Sequence, residues 1–132
     1  MAHDPRAILF IRLLDEIARA RGRISSVFAE GRMHAALSDL EMVVLNAVTG
    51  ATHPPTVPQI GRSLGHARQV IQRAAAALVA QGLAQWIANP DHKRAHRLAA
   101  TAAGIAIKAD ADARGLAAVS YTHLTLPTKR IV

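Results

Sequence analysis

Four long polar side chains occur close together between residues 68 and 73, in a stretch that reads RQVIQR. They are Arg68, Gln69, Gln72 and Arg73, and no acidic residue occurs between positions 65 and 82. At about 100° per residue, an α-helix places all four within an arc of roughly 140°. Arginine donates paired hydrogen bonds to guanine O6 and N7, and glutamine bonds similarly to adenine N6 and N7. This face therefore favours recognition of base edges in duplex DNA, and the alternative is a solvated helix face without a ligand.

A second charged group lies in the turn NPDHKRA, between the short segments LAQWIA and HRLAA, which predict antiparallel strands. The candidate DNA-contacting residues of this turn are Asp91, His92, Lys93 and Arg94. Arg94 is the candidate to enter a minor groove, because narrow A·T-rich grooves concentrate negative potential. The alternative is an ordinary charged hairpin. Trp86, on the first strand, is predicted to pack the hairpin against the body of the domain, and the alternative is stacking with single-stranded nucleic acid.

The sequence predicts neither a catalytic nor a metal-binding site. The chain contains no cysteine, and it has no phosphate-binding loop, dinucleotide-binding turn or supported pair of carboxylates. Asp91, His92 and His96 are residue types that coordinate metals, but they lie on one turn without supporting residues around them. We therefore expect a non-enzymatic protein that needs no cofactor.

Length and composition indicate one mainly helical domain. The 132 residues suffice for one core, and the 51% hydrophobic content includes only 3% aromatic residues, which favours helices over sandwiches or barrels. The absence of cysteine is compatible with a reducing compartment. The opening MAHDPRAILF lacks the long apolar stretch of a signal peptide or membrane span, so we expect a cytoplasmic protein without a membrane partner.

The charge distribution indicates a polyanionic partner. The formal net charge is +7, and the only acidic residue between Glu41 and Asp110 is Asp91. The basic residues in the same span are Arg62, Arg68, Arg73, Lys93, Arg94, Arg97 and Lys108. A genomic bias toward arginine and alanine would give a similar composition, so charge alone leaves nucleic-acid binding open.

Apolar spacing and capping patterns predict the first two helices. Residues 6–28 have apolar positions at three- and four-residue spacing and predict a long first helix. Ser38 and Glu41 form a capping box at the start of a second helix, which ends at Gly50.

The next two predicted helices form a helix-turn-helix. Thr56 opens the third helix with a capping pattern, and the helix stops at Gly65. The fourth helix carries the four long donors and ends at Gly82. The predicted strand pair follows directly, and a hairpin after a helix-turn-helix is a wing.

From about Leu37 to Gly104 the sequence resembles the MarR-type winged-helix transcriptional regulators. The resemblance is carried by the order and spacing of LSDLEMVVL, TVPQIGRSLG, RQVIQRAAAALVAQGL, NPDHKRA and the TAAG at 101–104. It implies a dimeric repressor or activator that binds double-stranded DNA and is often released by small phenolic or other amphipathic effectors. His34 lies near the effector pocket of this family, so a ligand role for it stays open beside a structural one.

Two positions depart from the family pattern. Ala67 begins the fourth helix where the family often has serine or threonine, which affects the helix cap and its phosphate contacts. His92 occurs where many members have the aspartate that braces the wing arginine, and the adjacent Asp91 is the candidate to replace it.

With this resemblance as a guide, the sequence divides into four parts. They are an N-terminal dimerisation helix region at 1–36, a winged helix-turn-helix domain at 37–100, the start of a C-terminal dimerisation helix at 101–119, and an atypical tail at 120–132. The tail is rich in threonine and β-branched residues and contains Pro127, so the last helix is expected to stop near Val119.

The tail resembles an adapter-like ending, so we expect it to be disordered or non-native and the C-terminal dimerisation part to be truncated. A genuine short variant with a disordered tail is the alternative. Truncation is expected to expose Ile8, Ile11 and Leu14 on the first helix and to weaken the dimer.

We predict a sequence-specific, dimeric and ligand-responsive regulator that binds a pseudo-palindromic DNA duplex. The alternative is a non-catalytic winged-helix domain that binds proteins and has no DNA affinity. A basic RNA-binding module is a third hypothesis, although the chain lacks the exposed aromatic residues that single-stranded readers use.

Overall fold

The computed structural model describes residues 4–123, apart from the side chains at positions 30, 31, 34 and 118–123. Within this range the chain folds into five helices and one β-hairpin, so the predicted mainly helical fold class is confirmed. The helices are α1 (Pro5–Ala35), α2 (Asp39–Gly50), α3 (Val57–Leu64), α4 (Arg68–Ala80) and α5 (Ala102–His123). Strand β1 (Ala84–Ile87) pairs antiparallel with β2 (Arg97–Ala100). None of the described helices is both long and apolar enough to cross a membrane.

Helix α1 is longer than its apolar spacing predicts. It begins where the Asp4 carboxylate accepts a hydrogen bond from the Arg6 amide at 3.0 Å. It continues past the predicted end at residue 28 and stops where Ala36 adopts a left-handed conformation with a φ of 58°. The last two turns lack an apolar stripe, which is why the pattern missed them. They are held instead by bonds from Arg32, and contacts with the rest of the fold often decide where a helix ends.

Ser38 caps the start of helix α2, as predicted. The Glu41 amide donates to Ser38 Oγ at 3.2 Å, and the Ser38 hydroxyl donates to Glu41 Oε2 at 2.8 Å. The other carboxylate oxygen of Glu41 accepts a hydrogen bond from Gln81 Nε2 at 3.1 Å. Because Gln81 caps the end of α4, this bond also ties the start of α2 to the end of α4.

Helices α3 and α4 form the predicted helix-turn-helix. At the start of α3, the Gln59 amide donates to Thr56 Oγ1 at 3.3 Å, and the Thr56 amide donates to Gln59 Oε1 at 2.9 Å. Gly65 ends α3 with a φ of 71°, a conformation that costs glycine little. Gly61 allows the turn to approach α3 closely, since a Cβ there would lie 2.9 Å from the carbonyl oxygen of His66.

The hairpin is joined to the body of the domain by the segment that precedes α3. The Leu98 amide donates to the Pro55 carbonyl at 2.8 Å, and Thr56 forms an isolated bridge with Arg97. Leu98 itself is fully buried. The prolines of the segment ATHPP, which precedes α3, indicated only a loop. Sequence reasoning therefore missed this attachment of the wing.

The core lies between α2, α4 and the hairpin, with contributions from Val57 and Ile60 of α3 and from Ala111 of α5. Its largest fully buried side chains are Val44, Leu45, Ile60, Ile71, Leu78 and Leu98. Burial of each such side chain stabilises the fold by about 1.5–3 kcal/mol. Because Ile71 and Leu78 fix the inner face of α4, the opposite face of that helix is held outward.

The TAAG segment starts α5 and packs it onto the turn before β1. Thr101 Oγ1 donates to the Gly82 carbonyl at 2.6 Å and accepts from the Gly104 amide at 3.1 Å. A Cβ at Gly104 would lie 2.0 Å from the Leu83 carbonyl oxygen, so this position has room only for glycine.

Helix α5 ends one turn later than predicted. It extends to His123, whereas the sequence predicted a stop near Val119. The β-branched and hydroxyl residues of this turn disfavour a helix by less than about 1 kcal/mol each, which is too little to end one. The remainder of the predicted tail, residues 124–132, lies outside the described residues.

Candidate nucleic-acid interface and adjoining cavity

Helix α4 has one buried face and one exposed face. The buried side chains are Ile71, Ala74, Ala75 and Leu78. The exposed face contains the four side chains singled out in the sequence, Arg68, Gln69, Gln72 and Arg73. None of these four forms a hydrogen bond or ion pair with another residue of the described range. Their donors are therefore free to bind a partner.

The start of α4 has no side-chain cap. Ala67 is the N-cap residue, and the first turn is held by backbone bonds, including one from the Val70 amide to the Ala67 carbonyl at 3.1 Å. Free amides at the beginning of a helix, together with its partial positive charge, favour an anion. The departure at Ala67 thus removes a competing side chain from a position that a DNA phosphate could occupy.

A polar cleft of about 370 Å³ separates the exposed face of α4 from the hairpin. Arg68 and Gln72 line it from α4, and Arg94 lines it from the wing turn. The other lining residues are Val57, Pro58, Trp86, Ala95 and His96. The fold therefore brings three of the predicted residues into one cleft, whereas Gln69, Arg73, Asp91, His92 and Lys93 do not line it.

Trp86 has the predicted position on the first wing strand. It is half-buried and packs against the hydrophobic core, while part of it lines the cleft. Paired with Leu98 across the hairpin, it connects the wing to the core. Trp86 thus packs the base of the wing against the body of the domain.

The wing turn is braced differently from the prediction. Asp91 does not pair with Arg94: its Oδ2 lies 3.3 Å from Nη2 of Arg97, the first residue of β2. The ion pair therefore spans the turn, from Asp91 to the first residue of β2. Arg94 has no side-chain partner within the described residues, so its guanidinium is available for binding.

His92 holds the inside of the wing turn. Its Nδ1 accepts hydrogen bonds from the amides of Arg94 at 3.3 Å and Ala95 at 3.2 Å. Asn89 Oδ1 accepts from the Asp91 amide at 3.1 Å in the preceding part of the turn. The histidine thus caps the wing turn, a role different from bracing the wing arginine. Among the described residues, no cluster of three or more potential ligands could hold a metal ion.

A second concave site of about 560 Å³ lies between α1, α2 and α5. Its apolar lining comes from Ile24, Phe28, Leu40, Met42, Val43 and Ala111, and its polar lining from Arg21, Ser25, Arg32, Asp39, Asn46, His66 and Asp112. His66 belongs to the turn before α4, so the cavity reaches the helix-turn-helix. The side chain of His34, the one residue that sequence reasoning considered for a pocket, lies outside the described side chains.

The cavity could have been recognised from one feature of the sequence. Ile24, Phe28 and Arg32 follow at four-residue spacing along α1, so they share one helix face. When an arginine occupies the next position on an apolar helix face, its charge is expected to lie in a partly buried site. Gly115 of α5 packs closely against the Phe28 ring, since a Cβ at Gly115 would lie 2.0 Å from that ring.

Comparisons with known proteins agree with this geometry. The sequence model of the MarR family matches residues 37–95. No curated protein matches the sequence.

Several solved structures share the fold over most of the chain. Apo MarR from E. coli has a TM-score of 0.79 and 18% identity, covering 90% of this chain and 88% of that one. The transcriptional regulator BldR from Sulfolobus solfataricus has a TM-score of 0.77 and 19% identity, with coverages of 94% and 88%. CouR from Rhodococcus jostii RHA1, solved with p-coumaroyl-CoA, has a TM-score of 0.71 and 20% identity, with coverages of 87% and 80%. Residues 37–95 therefore match the sequence model of the MarR family, and the chain shares the winged-helix fold of these solved regulators.

Proposed function

We propose that this protein is a transcriptional regulator that binds double-stranded DNA in a sequence-specific manner. The observation that carries the proposal is the convergence of Arg68, Gln72 and Arg94 on one cleft without side-chain partners in the described range. Unpaired cations held side by side repel one another, and a polyanion in the cleft would remove that repulsion. The net charge of +7 adds long-range attraction for the same partner.

The residues of this surface contact different parts of the DNA duplex. Arg68, Gln69, Gln72 and Arg73 face the major groove, where arginine and glutamine can distinguish guanine from adenine. Arg94 enters the flanking minor groove, and Lys93 contacts phosphate. Asp91 and His92 shape the wing turn that carries them. This function requires neither catalysis nor a cofactor, and we place it in the cytoplasm.

We further propose that the regulator acts as a homodimer. Large apolar side chains between residues 8 and 17 are 39–63% exposed: Ile8, Leu9, Phe10, Ile11, Leu13, Leu14 and Ile17. They surround most of the helix circumference, and a helix that is apolar on all sides is normally buried. A second copy whose helices interleave with α1 covers several sides at once. Such a dimer also presents two α4 helices to a pseudo-palindromic operator.

The cavity between α1, α2 and α5 supports a ligand response. Its volume of about 560 Å³ lies within the range of small-molecule sites. Its lining combines apolar side chains with a few polar ones, which suits a small amphipathic or phenolic effector. The structural neighbour CouR was solved with p-coumaroyl-CoA, a ligand of that protein.

A gel-shift experiment tests the DNA-binding proposal. Labelled duplex DNA, single-stranded DNA and RNA are each titrated with the protein at a fixed salt concentration, because phosphate contacts make affinity salt-dependent. We expect the duplex to bind most tightly. Arg68→Ala and Arg94→Ala should weaken duplex binding, whereas Arg23→Ala, which removes an exposed arginine of α1, should have little effect.

Two outcomes would contradict the proposal. If the protein binds none of the three nucleic acids, a winged-helix domain for protein interactions becomes the better reading. Preferential binding of RNA would assign the basic surface to RNA.

A further inference from the structure

The second half of the wing turn is held by one histidine ring. Nδ1 of His92 accepts hydrogen bonds from the backbone amides of Arg94 at 3.3 Å and Ala95 at 3.2 Å. The first half of the turn is held separately, by Asn89, which accepts from the amides of Asp91 and His92. The His92 ring is therefore the acceptor on which the backbone after it depends.

The backbone that the ring holds belongs to the part of the wing that lines the DNA-binding cleft. Arg94, Ala95 and His96 line this cleft together with Arg68 and Gln72 of α4. The two bonds end on backbone amides, so they set where the Arg94 side chain begins without using its guanidinium. That guanidinium has no partner within the described residues. Its position in the cleft thus depends on the His92 ring.

This arrangement requires a neutral imidazole. A ring nitrogen that accepts hydrogen bonds carries no proton, so neutral His92 has its proton on Nε2. In the imidazolium both nitrogens are donors, and Nδ1–H would then face two N–H groups without an acceptor between them. Because the turn is exposed, water replaces the lost acceptor. The second half of the turn then opens while the buried core stays folded.

The direction of the pH effect follows from counting protons. The closed turn binds one proton fewer at His92 than the open turn, so its stability is complete at high pH and is lost as the pH falls. Histidine changes charge between about pH 5 and 8, where carboxylates, lysines and arginines ordinarily keep theirs. The groups of constant charge around the turn are Asp91, Lys93, Arg94 and Arg97 of the hairpin and Arg68 of α4.

We propose that His92 is a positioning residue for Arg94, and that the wing presents this arginine to DNA only while His92 is neutral. The inference rests on the proposed DNA-binding function and adds a proton-dependent step to it. Protonation has two opposing effects on affinity, since the imidazolium attracts phosphate while the opened turn withdraws Arg94. The part of the affinity that depends on Arg94 separates the two effects.

Nuclear magnetic resonance of the full chain tests the turn without DNA. The ring nitrogens of His92 and the backbone amides of Arg94 and Ala95 are followed between about pH 5.5 and 8. We expect neutral His92 to carry its proton on Nε2, and both amide signals to move together with protonation of the ring. In His92→Asn the side-chain oxygen replaces Nδ1 as the acceptor and does not titrate. The two amide signals should then stay constant.

A thermodynamic cycle tests the DNA step. Fluorescence anisotropy at fixed salt measures binding to a duplex that the protein selects from random DNA, with A·T-rich flanks. Arg94→Ala should weaken binding about tenfold at pH 8 and less than about twofold at pH 5.5. The direct attraction of the imidazolium cancels, because both proteins of the pair have it.

Two variants of the positioning residue provide matched backgrounds for this cycle. In His92→Asn, Arg94→Ala should cost about tenfold at both pH values, because the acceptor is always present. His92→Gln has the same amide group on a longer side chain, which carries the oxygen past the position of Nδ1. In that background Arg94→Ala should cost less than about twofold at both pH values.

His96 is the control for a simpler cause of the same pH dependence. It lines the cleft with Arg94 and titrates in the same range, so its charge would repel the guanidinium directly. His96→Gln should leave the pH dependence of the Arg94→Ala loss intact. Thermal unfolding monitored by circular dichroism establishes that each variant is folded.

Several results would overturn the proposal. They are a neutral His92 with its proton on Nδ1, amide signals that do not follow the ring, an Arg94→Ala loss that is equal at both pH values in the wild type, and a pH dependence that survives His92→Asn or disappears in His96→Gln. If the amide signals follow the ring but no duplex binds, the proposed regulator function fails, whereas the positioning of Arg94 by neutral His92 is supported.

Discussion

The winged-helix part of the chain buries large apolar side chains, whereas the first half of α1 leaves them exposed. Between residues 37 and 100, side chains such as Leu45, Ile71 and Leu98 are fully buried. Between residues 8 and 17, the large apolar side chains are exposed, with Leu9 at 63% and Phe10 at 60%. The first region therefore buries most of its large apolar side chains within one chain, whereas the second leaves a large apolar surface exposed.

This difference gives the two regions different physical properties. A complete core holds α4 from behind and fixes the direction of its exposed donors. The segment between residues 8 and 17 contributes little to folding of the single chain, and its apolar surface is available for assembly. Substitutions in the two regions should accordingly change different measured quantities.

The largest effect is expected in the core. Leu45→Ala should lower the free energy of unfolding by about 2–5 kcal/mol, because it leaves a cavity where the side chain is fully buried. Ile11→Ala, at a side chain that is 58% exposed, should change it by less than about 0.5 kcal/mol. Urea denaturation at a concentration too low for self-association compares the two. Equal losses would contradict the contrast between the regions.

The second effect concerns assembly. Leu14→Asp should weaken self-association by about tenfold or more, since 1.4 kcal/mol corresponds to that factor and a buried unpaired charge costs more. Sedimentation at micromolar concentration measures it. Gln85→Asp, which introduces the same charge on the exposed side of β1, is the control and should leave self-association unchanged. A Leu14→Asp variant that associates as tightly as the wild type would argue against α1 as the dimer interface.

Alanine substitutions at two glycines, one packed against the winged-helix part and the other in α1, compare packing without a change of charge. A Cβ at Gly104 would meet the Leu83 carbonyl oxygen at 2.0 Å, whereas a Cβ at Gly22 meets nothing within 4 Å. Gly104→Ala should therefore destabilise the fold by about 1–3 kcal/mol through overpacking. Gly22→Ala should stabilise α1 by about 0.5–1 kcal/mol, because alanine loses less backbone entropy in a helix. Thermal unfolding of both variants checks the opposite signs, and a shared sign would be evidence against this packing.

The smallest effect is expected in the wing, the part of the winged-helix region that extends furthest from the core. Arg94→Ala should weaken DNA binding by about 1 kcal/mol more on operators with A·T-rich flanks than on operators with G·C-rich flanks. Arg94→Lys should not restore full binding, because an ammonium holds its water more strongly. Fluorescence anisotropy with the two flank types measures the difference. The same loss on both would exclude insertion into the minor groove.

Local features of the fold were predictable from sequence, since they depend on neighbouring residues. The caps at Ser38 and Thr56 and the turn at Gly65 were predicted and are confirmed. The helix ends at Ala35 and His123 were not, because apolar periodicity says little about turns held by tertiary bonds or by weak propensity.

Features of the site that join distant segments were harder to predict. The exposed face of α4 follows from helical geometry alone, and it was confirmed as a surface. The pairing of Asp91 with Arg97 depends on how the hairpin bends, and the contact between Arg32 and Asp39 depends on how two helices meet. Neither of these two contacts can be predicted from the spacing of residues along one helix or strand. The roles of the α4 and wing residues in DNA binding stay predictions.

The central claim, that the exposed face of α4 reads DNA sequence, is tested most directly by selection from random duplex DNA. The account predicts a pseudo-palindrome with half-sites about 10–10.5 base pairs apart, centre to centre. Arg68→Ala or Gln72→Ala should then weaken binding to the selected site by about 1–3 kcal/mol and relax one position in each half-site. Selection that enriches no sequence, or variants that lose equal affinity for selected and random duplexes, would contradict it.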